Sequence, residues 1–459
     1  MAQRSGLYPA IRMSYPSGMS DLDVSGIVAK HTYGTWRPQK GWKPLHVVKA
    51  EGSCFWDASG KRYVDMSAQL MCSNLGHQNP AVVEAICKQA RDLCFIAPGF
   101  ATTVRAQLAQ KLLEVVPKGI EKFFFATSGT EANECAIKMA RMVTGKHKIL
   151  ARYNGYHGST ATSVALTGDY RRWFAEPNGS AVNGVIHVPE CNPYRPEPFK
   201  SASDTVDYIE HVLKNEANIA AMILEPVVGT NGVLVPPDDY LPRLHALLKK
   251  HGVLLIADEV MAGWGRTGAW FAVDHWKIQP DILVTAKGVT SAMAPLGVVG
   301  TTRAVADWFE DGWFAHGHTY ESHPLTLAPA LAAIDEYRRL GLIERARTKG
   351  AEFGQKLRRL TERHPSVGDV RGLGMFWAVE LVKNRKTKEP FGTFHDKFDR
   401  KPMLIDQVNA RMLEQGIYAV GWMSHFVFAP PLIVTDSEVD ECIAALDKAL
   451  EIADAKVEG

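Results

Sequence analysis

Two hydrophobic patterns alternate along the chain. Short continuous apolar runs predict buried strands, and apolar residues recurring every three or four positions predict amphipathic helices. Val253-Leu254-Leu255-Ile256-Ala257 is one such run and ends in Asp258-Glu259. Asp281-Ile282-Leu283-Val284-Thr285-Ala286 is another and ends in Lys287-Gly288. Further strands are expected at 122–126, 148–152, 184–188, 220–224 and 297–301. Asn79-Pro80 opens a helix through about Arg91, with Val82, Val83, Ile86 and Ala90 on one face. Helices are also expected at 102–116, from the Thr127–Asn133 turn to about Met142, and at 206–215 and 241–250. Such alternation implies an α/β fold, a mostly parallel sheet covered by helices.

Outside this region the pattern changes. Residues 1–45 are rich in Gly, Pro, Ser and aromatics without a clear period, so they read as an arm or a set of loops. An arm of this composition needs a surface on which to bury its Trp and Tyr residues. Residues 47–66 turn β-like around an Asp57-Ala58-Ser59-Gly60 hairpin turn. After about residue 325 one long helix leads to strands at 368–382 and 417–429, closed by a helix from Ser437. The expected division is an arm at 1–45, a small α+β domain made of 46–75 and 326–459, and a large domain at 76–325.

Composition narrows the class. With 459 residues, 46% hydrophobic and 22% charged, the chain is an ordinary globular sequence of two or three domains. A formal charge of +2 favours neither nucleic acid nor a membrane surface as partner. The seven cysteines are scattered without a Cys-x-x-Cys pair, which speaks against a disulfide framework and a thiolate zinc site. No apolar stretch reaches the roughly eighteen residues of a membrane helix, and the N-terminus lacks an apolar leader core. A reducing cytoplasm is the expected location.

Candidate chemistry sits at the strand ends. Ligands of open parallel sheets bind at the carboxyl ends of strands, where Asp258 and Lys287 both fall. An acid there can hold a pyridinium nitrogen protonated, and a lysine can form a Schiff base with a carbonyl cofactor. Each residue alone also reads as a helix cap or a solvated strand end. Thr127-Ser128-Gly129-Thr130-Glu131 lies between a strand and a helix. It reads as a phosphate-binding turn or as a plain capping box. In Asn154-Gly155-Tyr156-His157-Gly158 the glycines free Tyr156 or His157 to cover a flat ring, or the stretch is an ordinary loop. Glu225-Pro226 adds a third carboxylate near the same edge. Gly263-Trp264-Gly265-Arg266-Thr267-Gly268 fits the dinucleotide fingerprint but opens no helix, so it is discounted. His316, His318 and His323 lack the spacing of a metal site, and no metal is expected.

These stretches together resemble the class III, or ω-, aminotransferases, pyridoxal-phosphate enzymes of fold type I. The resemblance rests on Ser128 to Asn133, Tyr156-His157-Gly158, Glu225-Pro226, Asp258-Glu259-Val260 with Gly265 to Gly268, Lys287-Gly288, and His318-Thr319-Tyr320 with His323-Pro324. Their order and spacing agree from about residue 45 onward. The resemblance implies pyridoxal 5'-phosphate as cofactor, with Lys287 as Schiff-base lysine and proton shuttle and Asp258 on the pyridine nitrogen. Ser128, Gly129 and Thr130 would hold the phosphate and Tyr156 would stack on the ring. His157, Glu225 and Val260 would complete the cofactor contacts. Thr319 would reach the phosphate of a neighbouring subunit, which requires a homodimer, alone or paired into a tetramer.

Departures from the family pattern bear on substrate. Relatives often carry an arginine before the final Ala-Pro-Pro, where this chain reads Tyr418 to His425 without one. Met71 stands where many have tryptophan, and Glu225-Pro226-Val227-Val228 replaces Glu-Pro-x-Gln. Candidate substrate residues are therefore Met71, Trp36, Arg37 and His425, with His31 beside them. The expected reaction is amino transfer from an ω-amino acid, a taurine- or β-alanine-like donor or a simple amine to a keto acid, foremost pyruvate, by ping-pong exchange. The alternatives are a mutase, racemase or decarboxylase of the same fold, and a non-catalytic or dinucleotide-binding protein that keeps only the fold.

Overall fold

The computed structural model describes residues 22–458. These pack as two compact units, 22–49 with 56–61, and 50–55 with 62–458. In the first, residues expected as arm or loop include a helix, Val24–His31. Asp23 caps it by accepting from the Gly26 N–H at 2.9 Å. None of its residues is buried, so its apolar positions are too weakly patterned to announce a helix.

The second unit is built on a seven-stranded sheet. Its order is Ile120–Ala126, Gly297–Thr302, Ile282–Thr285, Leu254–Asp258, Ile219–Leu224, Lys148–Arg152, Val185–Val188. The last five strands pair in parallel. Gly297–Thr302 runs antiparallel to both of its neighbours, an orientation that the apolar run could not specify. Strand Ile219–Leu224 is buried at all six positions, as expected of a parallel strand covered on both faces.

Helix Gly129–Thr144 crosses this sheet. Its inward face carries Ala132, Ala136 and Ala140, which pack with Ala151, Ala221, Ile256 and Val284. Small residues on helix and sheet let the two backbones approach closely, which sets the helix N-terminus at the carboxyl edge of the strands. Gly145, at φ 64°, ends the helix in a left-handed cap.

In place of one long helix after residue 325 there are two, Pro324–Arg339 and Leu342–Arg363. Gly341 between them adopts φ 59°, the conformation that breaks the helix. A second sheet follows in the order Val367–Leu373, Phe376–Asn384, His425–Phe428, Val420–Trp422, all antiparallel. Ile417–Tyr418 pairs in parallel with Arg62–Asp65. Early and late parts of the chain thus share one sheet, as an α+β part built from both ends requires. Helix Asp436–Asp454 closes the chain with a capping box of Thr435 and Glu438.

Candidate active site

Asp258 and Lys287 come from adjacent parallel strands, in which Asp258 is the register partner of Val284. Asp258 is 3% exposed. Its Oδ2 accepts from Asn133 Nδ2 and lies against His157 Nδ1, both at 2.8 Å, and its Oδ1 accepts from the Val260 N–H at 3.1 Å. A carboxylate buried in this way needs such donors, because each missing one costs about 1–3 kcal/mol. Lys287 adopts φ 47°, a left-handed conformation. Its Nζ donates to the Leu70 carbonyl at 2.9 Å, and burial pulls its pKa below the usual lysine value. A lowered pKa favours the neutral amine that a nucleophile needs. Met71, itself buried and at φ 56°, follows Leu70 in this turn.

The Ser128 turn stands on the same edge. Ser128 Oγ accepts from the Glu131 N–H at 3.2 Å, as an N-cap. Amides in the first helical turn have no intrahelical acceptor and face outward with the positive end of the dipole. A Cβ on Gly129 would lie 3.0 Å from Val260 Cγ2 and 3.4 Å from Ala286 Cβ. One on Gly158 would lie 2.7 Å from Thr130 Oγ1. The turn, Val260, the residue before Lys287 and the Tyr156 loop are therefore packed together. Ser128 caps the helix whose N-terminus points at the site, as the capping reading expects.

Glu225 organises the Tyr156 loop from within. It accepts from the Tyr156 N–H through Oε1 and from the Gly229 N–H through Oε2, each at 2.9 Å. Burial pushes its pKa up to about 7. Its part is to hold the backbone beneath the Tyr156 ring.

A buried arginine that the sequence reading did not single out lies on that ring. The Arg171 guanidinium carbon is 3.8 Å from the Tyr156 ring centroid and 4.9 Å from that of Trp422. Arg171 is 5% exposed. It pairs with buried Asp169, Nε lying 3.0 Å from both carboxylate oxygens. Asn231 joins the group, donating to Asp169 Oδ2 at 2.9 Å and accepting from Trp422 Nε1 at 2.9 Å. Packing over aromatic faces suits a guanidinium better than an ammonium. The signal was Asp169-Tyr170-Arg171-Arg172, but its meaning depends on Trp422, far along the chain.

His425 is buried, its Nε2 3.0 Å from the Thr230 carbonyl, and burial pulls its pKa down to about 4. Thr319 is exposed in the segment before helix Pro324–Arg339. Trp36 and Arg37 belong to the first compact unit, where Arg37 lies 5.9 Å from the Trp42 ring. His316 and His318 pack edge-on against Phe124, and His323 caps helix Pro324–Arg339. Residues 263–267 are turn and Gly268 is a bend, with Gly265 and Gly268 at positive φ.

This donor set fits pyridoxal phosphate. It offers a lysine, a buried carboxylate for the ring nitrogen, an aromatic face and a helix N-terminus for the phosphate, all at one sheet edge. A family model described as Aminotransferase class-III matches residues 37–450. The putrescine–pyruvate aminotransferase of Pseudomonas aeruginosa is 35% identical over 90% of this chain and 91% of its own. The taurine–pyruvate aminotransferase of Rhodobacter capsulatus is 32% identical over 93% and 97%. Among solved structures, the taurine:2-oxoglutarate aminotransferase of Bifidobacterium kashiwanohense, in complex with PLP and glutamate, superposes with a TM-score of 0.90. That pair is 36% identical and covers 95% of this chain and 98% of the other. On the family match and these likenesses along nearly the whole length, the chain belongs to the class III aminotransferases, pyridoxal-phosphate-dependent transaminases of fold type I.

Proposed function

We propose that the enzyme moves an amino group from an ω-amino acid, a taurine- or β-alanine-like donor or a simple amine to pyruvate by ping-pong exchange. The observation that carries this reading is Arg171, buried on the Tyr156 ring beside Trp422. It gives the site a cation for one acidic group although no arginine stands between residues 416 and 431. Asp169 already neutralises much of that charge, so a second anionic group finds little compensation. This favours pyruvate over 2-oxoglutarate. The taurine–pyruvate and putrescine–pyruvate relatives support the same acceptor.

In this reading pyridoxal phosphate supplies an electron sink for the substrate's breaking C–H bond. Lys287 would hold the cofactor, and its amine, with a pKa lowered by burial, would take up and return the substrate's proton. Asp258 keeps a proton on the pyridine nitrogen, steadied by His157 and Asn133. Ser128, Gly129 and Thr130 bind the phosphate, and Val260 packs beneath Gly129. Tyr156 would cover the ring, and Met71, next to the Leu70 carbonyl that accepts from Lys287 Nζ, would border the substrate amine. Thr319 serves the phosphate of a second subunit, so the working unit is a homodimer, alone or paired into a tetramer. The large cofactor-binding part spans 76–325, and the small part 46–75 with 326–459. Seven free cysteines are in keeping with a cytoplasmic enzyme, and among the described residues no helix is long and apolar enough to cross a membrane.

The test is a donor panel of taurine, β-alanine, putrescine, a neutral arylalkylamine and glutamate, each run with pyruvate and with 2-oxoglutarate. Turnover with pyruvate and the first four donors is expected. A clear preference for the glutamate/2-oxoglutarate pair overturns the substrate reading. Turnover without any keto acid overturns the exchange itself in favour of racemase or decarboxylase chemistry.

A further inference from the structure

The segment that carries Lys287 is conformationally costly. Lys287, Ser291 and Ala292 all have positive φ, at 47°, 52° and 59°. Each such non-glycine residue persists only where its surroundings over-determine it. Around Lys287 those surroundings are two aromatic donors. Tyr337, fully buried, donates its hydroxyl to the Gly288 carbonyl at 2.8 Å. Trp264, also fully buried, donates its indole N–H to Thr285 Oγ1 at 2.7 Å. One bond falls directly after the lysine and the other two residues before it. The two rings pack on each other with centroids 6.1 Å apart.

Gly288 lies tight against this pair. A Cβ there would come 2.6 Å from Trp264 Cβ and 2.7 Å from Asn74 Nδ2. Asn74 in turn donates to the Trp264 carbonyl at 3.0 Å. Arg266 fastens the group from behind, donating to Asn74 Oδ1 at 2.7 Å and to the carbonyls of Met375 and Pro430 at 3.0 and 2.6 Å. Trp264 and Arg266 both belong to the Gly263–Gly268 stretch that imitates a dinucleotide fingerprint.

We propose that Tyr337 and Trp264 are positioning residues for Lys287, and that Arg266 in the 263–268 turn anchors them. The hydroxyl of Tyr337 fixes the Gly288 peptide and the indole of Trp264 fixes Thr285. Between them Lys287 is held in its left-handed conformation, with Nζ presented to the site. The inference rests on the assignment of Lys287 made above.

The test compares holoenzyme variants. Tyr337→Phe removes one hydroxyl and keeps the ring. Trp270→Phe is the packing control, because Trp270 lies 5.9 Å from the Tyr337 ring and forms no hydrogen bond to residues 285–288 among the described residues. Two readouts are used. One is the pH midpoint of the bound cofactor's absorbance change. The other is the stopped-flow rate of the amine half-reaction across donor concentration, which separates rate from apparent affinity. Tyr337→Phe is expected to shift the midpoint and to slow the saturating rate about tenfold or more, with apparent affinity near wild type. Trp270→Phe is expected to lower the melting temperature alone. A wild-type midpoint and rate in Tyr337→Phe overturns the proposal, and so do equal shifts in both variants. If Tyr337→Phe does not fold, Trp264→Phe decides by the same two readouts. Lys287→Ala keeps the premise separate: activity retained there removes the assignment of Lys287, whereas activity lost there with Tyr337→Phe unchanged removes only the positioning role.

Discussion

His157 Nδ1 lies 2.8 Å from Asp258 Oδ2, and both side chains are buried. With its proton on Nδ1 the imidazole gives the carboxylate a donor, and Asn133 Nδ2 gives the same oxygen a second. These residues come from three separate segments, the helix after the Ser128 turn, the Tyr156 loop and the central strand. Substituting either donor therefore tilts the carboxylate without removing it.

The first prediction concerns Asp258 itself. Asp258→Asn keeps the shape and one acceptor oxygen but removes the charge that stabilises a protonated ring nitrogen. The proton-abstraction step is expected to lose on the order of several kcal/mol, as buried charge-assisted pairs do. His157→Gln is expected to slow the same step by less, since Asn133 and the Val260 amide remain. Single-turnover absorbance kinetics with a saturating amine measure both. Unchanged rates in Asp258→Asn contradict the role.

The second prediction concerns pH and stability. Glu259 follows Asp258, is fully buried, and accepts from the Val273 N–H at 2.7 Å. Burial is the main cause that pushes its pKa up to about 8 from 4.5, against backbone hydrogen bonds that lower it. Between those values the folded protein keeps a proton that the unfolded chain releases. Stability is therefore lost as pH rises through this window, by about 1.4 kcal/mol per unit from this group. Glu259→Gln carries no titrating proton. Its thermal midpoint relative to wild type is expected to rise steadily from about pH 5 to about pH 8 and then level off. A difference that does not change with pH places the carboxyl outside this account.

Much of this site was legible because parallel strands buried on both faces are continuous apolar runs, and an ionisable residue at the end of such a run stands out. Asp258 and Lys287 were found in that way. Gly129 and Tyr156 were marked by glycine beside strand ends. Long-range partners leave no such mark. Asn133 meets Asp258 across 125 residues, and Arg171 gains its setting only when Trp422 arrives from the second sheet. Arg171 sits in a four-residue helical turn, Tyr170–Trp173, too short for any period to reveal. The reversed direction of Gly297–Thr302 was hidden for the same reason, since an apolar run reads alike in both senses.

The third prediction concerns assembly. Thr319 is exposed in this chain, as a residue that serves a neighbour's phosphate must be before assembly. Lys287→Ala and Thr319→Ala subunits are each expected to be weak alone. In a mixed dimer one site collects both defects and the other has neither. Recovery of activity on unfolding and refolding the two together, up to about one quarter of wild type for random pairing, is the expected result. A fully active monomer by light scattering, or no recovery in verified mixed dimers, removes the shared site.

The last prediction concerns the acid anchor and separates two arginines. Arg171 is buried between the Tyr156 and Trp422 rings. Arg37 belongs to the other compact unit and lies 5.9 Å from the Trp42 ring. If Arg171 binds the acidic group, its loss costs acidic substrates a charge-assisted hydrogen bond, about 1.5–3 kcal/mol or roughly ten- to a hundredfold in kcat/KM. Arg171→Gln alone would strand Asp169, a buried carboxylate, and an uncompensated charge destabilises by about 3–5 kcal/mol. The informative variant is therefore the double substitution Arg171→Gln with Asp169→Asn, which keeps the pair neutral and hydrogen-bonded. It is expected to raise KM for pyruvate and for taurine-like donors while leaving a neutral arylalkylamine nearly unchanged in the amine half-reaction. Arg37→Ala, measured beside it, is expected to have the smaller effect. Equal losses for neutral and acidic donors in the double variant would reduce Arg171 to a support for Tyr156. A selective loss in Arg37→Ala alone would move the anchor to Arg37.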